Sequence, residues 1–233
     1  MTSNQAVHNC YILGEQCMAK NNFSGAVSAY SGAIALDPNY SDAYLARGIA
    51  RREAGDYDGA IADWMEVARL EPLNADVYCW CADIRYEYNN DYDRAMADYS
   101  KALDIFPEFS EARFKRACAR LEHHDYDGAI ADFTKMLEVE EDAYCYMMRG
   151  KANAAQGAYQ SAIADCTISI DLDPDSKMNA ITYYDRAYYR AALKDYRGAA
   201  EDAQRFLAFG FKWPQVETIR KALQAWQQGK AEA

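Results

Sequence analysis

Apolar and small side chains recur at intervals of three and four along nearly the whole chain, the spacing that lays one stripe along one face of an α-helix. Residues 41–74, SDAYLARGIARREAGDYDGAIADWMEVARLEPLN, show both the rule and its punctuation. Two amphipathic stretches flank Gly55-Asp56, where the pattern breaks. Asp56 is placed to cap the second stretch, and Pro72 closes the segment. The pattern predicts helix, short turn, helix.

The same pattern returns. YDGAIAD stands at Tyr57–Asp63 and again, letter for letter, at Tyr126–Asp132, with near-copies at Tyr92–Asp98, Tyr159–Asp165 and Tyr196–Asp202. The identical copies lie 69 residues apart, twice 34 plus one. Six units follow: 7–40, 41–74, 75–109, 110–142, 143–176 and 180–211. One residue is extra near Asn89-Asn90, and three (Lys177, Met178 and Asn179) precede the last unit. A fixed period of this size signals a solenoid, because a single helix pair cannot bury its own apolar face.

Within the units, small residues hold fixed places. The eighth position is Gly14, Gly48, Ala82, Ala117, Gly150 or Ala187, and the twentieth is Ala26, Ala60, Ala95, Ala129, Ala162 or Ala199. Small side chains where helices cross let the axes approach, and a larger neighbour fills the gap four places on. That neighbour is Tyr30, Trp64, Tyr99 and Phe133, dwindling to Cys166 and Ala203. Pro38, Pro72, Pro107 and Pro174 close four units, while Glu141 and Phe211 stand there in units four and six. Over about 7–211 this resembles the tetratricopeptide repeat. The resemblance implies an all-α, right-handed superhelix of six helix-turn-helix repeats, a single solenoid over 1–233. After the repeats, Pro214 suits a first helical turn, and Val216, Ile219, Leu223 and Trp226 share a face. A capping helix over 214–228 is expected.

Arginine occupies the seventh position in four units, as Arg47, Arg116, Arg149 and Arg186, each sixteen residues before Asp63, Asp132, Asp165 or Asp202. An Arg–Asp bridge between the two helices of each such unit follows as an expectation. Unit one has neither partner (Leu13, Ala29), and unit three keeps only Asp98, opposite Cys81.

Composition narrows the functional classes. The 233 residues are 51% hydrophobic and 26% charged, with a net charge of -11. That charge argues against nucleic acid and anionic membrane surfaces, and leaves a basic or apolar peptide open. Seven cysteines without secreted-type spacing, and no signal-like N-terminus, point to reduced thiols and a cytoplasmic protein. Cys79-Trp80-Cys81 cannot clasp one ion from a helix, and His123-His124 in a turn have no third ligand in view. No nucleophile setting or phosphate loop is present. The expectation is a non-enzyme with no metal and no cofactor.

In proteins of the resembled family the first helices of the pairs line a concave groove. Carried onto this chain, that implies Tyr11, Ile12 and Glu15; Leu45, Ile49 and Arg52; Trp80, Asp83 and Tyr86; Phe114, Lys115 and Cys118; Tyr144, Met147, Met148 and Lys151; and Tyr184, Asp185 and Tyr188. A subclass grips chaperone C-terminal carboxylates, but the places of its clamp hold Tyr11, Glu15, Ala46, Ile49, Asp76 and Trp80, none of which matches. The expected function is a scaffold or adaptor that binds a peptide or helix of another protein in the groove. Trp80, Met147 and Tyr184 are expected to be open to it, with selectivity from Arg52, Asp83, Lys115 and Lys151. The alternatives are self-association into a homodimer through an incomplete cap at Met1 to Ala6, a co-chaperone-like adaptor without the clamp, and an enzymatic role through the cysteines.

Overall fold

The structure, a computed structural model, describes residues 3–174 and 176–230. It is an all-α repeat solenoid, with thirteen helices among the described residues. The chain divides into two compact units that meet at Ala112 and Arg113. The first holds α1 (Ser3–Met18), α2 (Phe23–Leu36), α3 (Ser41–Glu53), α4 (Tyr57–Leu70), α5 (Ala75–Glu87) and α6 (Tyr92–Ile105). Next comes α7 (Ser110–Glu122), which begins in the first unit and lies mostly in the second. The second unit continues with α8 (Tyr126–Leu137), α9 (Ala143–Ala155), α10 (Tyr159–Leu172), α11 (Asn179–Ala192), α12 (Tyr196–Ala208) and α13 (Gln215–Gln227). From α1 to α6, and again from α8 to α13, each helix packs on the next.

The second helix of most pairs starts by one device. Asn22, Asp56, Asp91, Asp125 and Asp195 each accept a hydrogen bond from the backbone N–H three residues on. This satisfies one of the donors that a helix start leaves open. The glycine of YDGAIAD belongs to the same device, since a Cβ on Gly59 would lie 2.2 Å from Asp56 Oδ2. Gly55, at φ +81, ends α3 in the left-handed region. Removing one cap, with Asp125→Ala, is expected to cost about 1 kcal/mol. Urea denaturation followed by circular dichroism reads that shift.

Packing follows the small positions. Ala26, Ala60, Ala95, Ala129, Ala162 and Ala199 are all fully buried. Tyr30, Trp64, Tyr99 and Phe133 are buried beside them, as are the smaller Cys166 and Ala203. In α13, Ile219, Ala222 and Trp226 are buried against a cluster containing Ala199, Ala203 and Phe206, with Val216 and Leu223 at its margin.

Four aspartates of these second helices are buried, and each is held by an arginine. Arg47 grips Asp63 with Nε and Nη2 at 2.9 and 2.6 Å, and Arg116 holds Asp132 at the same two distances. Arg149 holds Asp165 at 3.1 and 2.7 Å, and Arg186 holds Asp202 at 2.9 and 2.7 Å. A further arginine one turn later joins three of them: Arg51 to Asp63, Arg120 to Asp132 and Arg190 to Asp202, at 2.7–2.9 Å. Asn153 takes that role toward Asp165 at 3.0 Å. The first arginine also reaches a hydroxyl of the preceding pair, Ser31 from Arg47, Thr134 from Arg149 and Thr167 from Arg186. In unit three Asp98 is held by Arg85, thirteen residues earlier, because the insertion near Asn89 lengthens the interval by one.

One groove expectation needs correction, and a second residue has a partner within the fold. Met147 is 4% exposed, turned into the body of the second unit rather than toward a ligand. Asp83 accepts the Tyr99 hydroxyl at 2.8 Å, so this carboxylate already serves a buried core tyrosine. The expected weak cover from Met1 to Ala6 lies partly outside the described residues, at Met1 and Thr2.

Candidate functional site

In the first unit Tyr11, Leu45, Ile49, Trp80 and Tyr86 are half-buried, while Ile12, Glu15 and Arg52 are exposed. Tyr11 packs 5.4 Å from both Tyr30 and Tyr40. Leu45, Ile49 and Trp80 border the cluster around Trp64, and the Trp80 ring lies 5.3 Å from that of Trp64. Arg52 is exposed and paired with Glu53 at 2.8 Å. In the second unit Phe114 packs edge-on against Phe133 and lies 5.7 Å from Tyr144, with Cys118 and Met148 beside the same cluster. Lys115 is half-buried. Tyr188 stands T-shaped on Trp226 at 5.3 Å, which ties it to the terminal helix.

Three of the expected groove residues meet at one cavity. It measures about 500 Å³ and is lined by Lys151 from α9, Ile181, Tyr184 and Asp185 from α11, Phe206 from α12, and Trp213, Pro214 and Gln215. Tyr184 lies 5.4 Å from Phe206, and Phe206 6.2 Å from Trp213. Trp213 is stacked on Phe211 at 4.3 Å, and Phe211 on Phe209 at 6.0 Å. This ladder of rings holds the link between α12 and α13 in place. Sequence reasoning missed the link because it straddles the end of the last repeat, where Phe209 and Phe211 match no repeated position. The signal that could have found it was four aromatics within Phe206–Trp213.

The cavity is apolar apart from one ion pair and an amide. Lys151 Nζ lies 3.6 Å from Asp185 Oδ2, longer than a hydrogen bond. Burial pushes the Asp185 carboxyl above its ordinary range, and Lys151 opposes that shift. A shallower hollow of about 630 Å³ lies in the first unit, between the turn at 71–74, the start of α5 at Ala75 and Asp76, and Phe106 and Phe109.

Charge is uneven. The first unit carries 18 acidic against 8 basic side chains, the second 18 against 17. Almost all of the -11 therefore belongs to residues up to Ala112. Four of the seven thiols are unsuited to nucleophilic work. Burial pushes Cys81, Cys145 and Cys166 up to about 12 and Cys118 up to about 11, and a thiol that stays protonated is inert. Among the described residues no cluster of His, Cys, Asp and Glu could hold a metal. Nor is any helix there long and apolar enough to cross a membrane.

The tetratricopeptide repeat model matches residues 18–76, 84–138 and 114–177, well over half of the chain. The chain belongs to the tetratricopeptide repeat family. Among curated proteins this repeat protein is similar to a DnaJ homolog subfamily C member 7 homolog from Dictyostelium discoideum. The identity is 26% over 101 residues, 43% of this chain and 18% of that one. It is also similar to a small glutamine-rich tetratricopeptide repeat-containing protein 2 from Mycosarcoma maydis, at 26% over 94 residues, 40% of this chain and 26% of that one. The matched stretch thus spans only 18% and 26% of the two relatives' length. Among solved structures, a tetratricopeptide repeat protein from Parabacteroides merdae superposes with a TM-score of 0.70 at 18% identity, covering 97% of this chain and 88% of that one. YrrB, described as a tetratricopeptide repeat protein with an unusual peptide-binding site, superposes at 0.62 and 18% identity, covering 77% and 96%. At these identities the two structures show the shared fold. Tetratricopeptide repeats generally mediate protein–protein interaction and typically form non-catalytic scaffolds.

Proposed function

We propose that this tetratricopeptide repeat protein is a non-catalytic adaptor that receives an extended or helical segment of a partner protein on its first-helix faces. The cavity at Tyr184 carries the proposal, because aromatic walls with a few convergent polar groups are what a recognition pocket needs. Half-buried Trp80, Ile49 and Leu45 supply adaptable apolar surface in the first unit. Its excess of carboxylates favours a basic partner and speeds encounter at low salt. YrrB, a fold neighbour, is described by a peptide-binding site, which is in keeping with this use of the fold. Seven free cysteines suit a reducing compartment such as the cytoplasm.

The test is an affinity pull-down from native lysate, comparing the wild type with Trp80→Ala/Tyr184→Ala. The expected result is at least a tenfold loss of the captured partner at unchanged helix content by circular dichroism. Undiminished capture by the double variant would move the site elsewhere.

Self-association is the second reading. Leu13 is 52% exposed on α1, at the place where four later pairs carry an arginine. A light-scattering mass that stays monomeric as concentration rises removes it.

A further inference from the structure

We propose that the cavity beside α9 and α11 seats an arginine side chain of the bound partner segment. This rests on the adaptor reading and names the chemistry that its pocket selects.

The Asp185 side chain is only 19% exposed, and its buried Oδ2 has no hydrogen-bond partner. Lys151 neutralises the carboxylate from 3.6 Å without reaching hydrogen-bond length. A buried acceptor in this state gains more than an exposed one from a new donor. The walls are right for a cation on an apolar stem. Tyr184, Phe206 and Trp213 line it with aromatic rings, and Ile181 adds aliphatic surface. A guanidinium supplies two parallel N–H groups to a carboxylate and stacks on aromatic rings, whereas an ammonium does neither. Lys151 is 36% exposed, so it can turn to water when the guanidinium arrives. An acidic ligand would pair with Lys151 but leave Asp185 Oδ2 without a donor, and would set two carboxylates side by side. The volume of about 500 Å³ leaves room for the stem and the flanking backbone.

A phage-displayed library of random twelve-residue peptides, panned on the full chain, supplies the probe. A selected peptide is then labelled with fluorescein and titrated by anisotropy. The expected peptides carry an arginine. Asp185→Asn should weaken their binding at least tenfold, as should Arg→Glu in the peptide, with Arg→Lys intermediate and Lys151→Ala equal to or tighter than wild type. Peptides that need no arginine, or that bind through an acidic residue and are lost with Lys151→Ala, overturn this inference. They leave the adaptor reading standing if Trp80→Ala/Tyr184→Ala still abolishes their binding. A library that yields no binder counts against both.

Discussion

Asp202→Ala is expected to destabilise the second unit by about 3–5 kcal/mol, the usual cost of stripping one partner from a buried ion pair. Asp202 and Arg186 are both buried, joined by two hydrogen bonds at 2.9 and 2.7 Å. Burial alone would weaken the charge on Arg186. The hydrogen bond and the charge of Asp202 outweigh it and hold the guanidinium above its ordinary range. Arg190 adds a third contact to Asp202 at 2.9 Å, and Arg186 Nη1 reaches Thr167 at the same distance. Removing the carboxylate takes the counter-ion from two arginines at once. In a repeat array such damage stays local, so α11 to α13 should open before the rest. Urea unfolding followed by circular dichroism and by tryptophan fluorescence should then show two steps instead of one. Asp202→Asn, which keeps one acceptor oxygen, should lose less. A shift below about 1 kcal/mol, typical of surface pairs, would demote the network to decoration.

Most of this architecture was legible because it is written by residues that repeat. The alanines at the helix crossings, the aspartate caps and the sixteen-residue Arg–Asp interval each recur, and recurrence separates a packing rule from accident. What escaped was partly regular, since an arginine recurs at the eleventh place as Arg51, Arg85, Arg120 and Arg190, and partly what departs from the period. The second arginine one turn on is a charge on a helix face until the fold brings Arg51, Arg120 and Arg190 over the same aspartates. Arg85 was hidden by a single inserted residue that shifts its interval to Asp98. The groove positions came from a family template, which gives a residue's place on a helix but not its depth. Met147 therefore proved buried, while Lys151, Tyr184 and Asp185 met at a cavity completed by Phe206 and by the non-repeating Trp213 and Pro214.

Trp64→Ala should cost the first unit about 3–5 kcal/mol, because an indole with no exposed surface leaves a cavity that its neighbours only partly fill. The more discriminating experiment pairs it with Gly48. A Cβ on Gly48 would stand 2.4 Å from Trp64 Nε1 and 2.6 Å from Cδ1, on the five-membered edge of the ring. Gly48→Ala in the wild type should thus be destabilising by about 1–3 kcal/mol through overpacking, although alanine is the better helix former. The chain itself shows the alternative solution. Ala117 stands sixteen residues before Phe133, as Gly48 does before Trp64, and both Ala117 and Phe133 are fully buried. With Trp64→Phe in place the clashing edge is gone, and Gly48→Ala should turn neutral or stabilising. The coupling between contacting residues then appears as a change of sign across the double-mutant cycle, read by urea midpoints. Strict additivity would mean that the small residue at this crossing is set by backbone approach alone and not by the ring it faces.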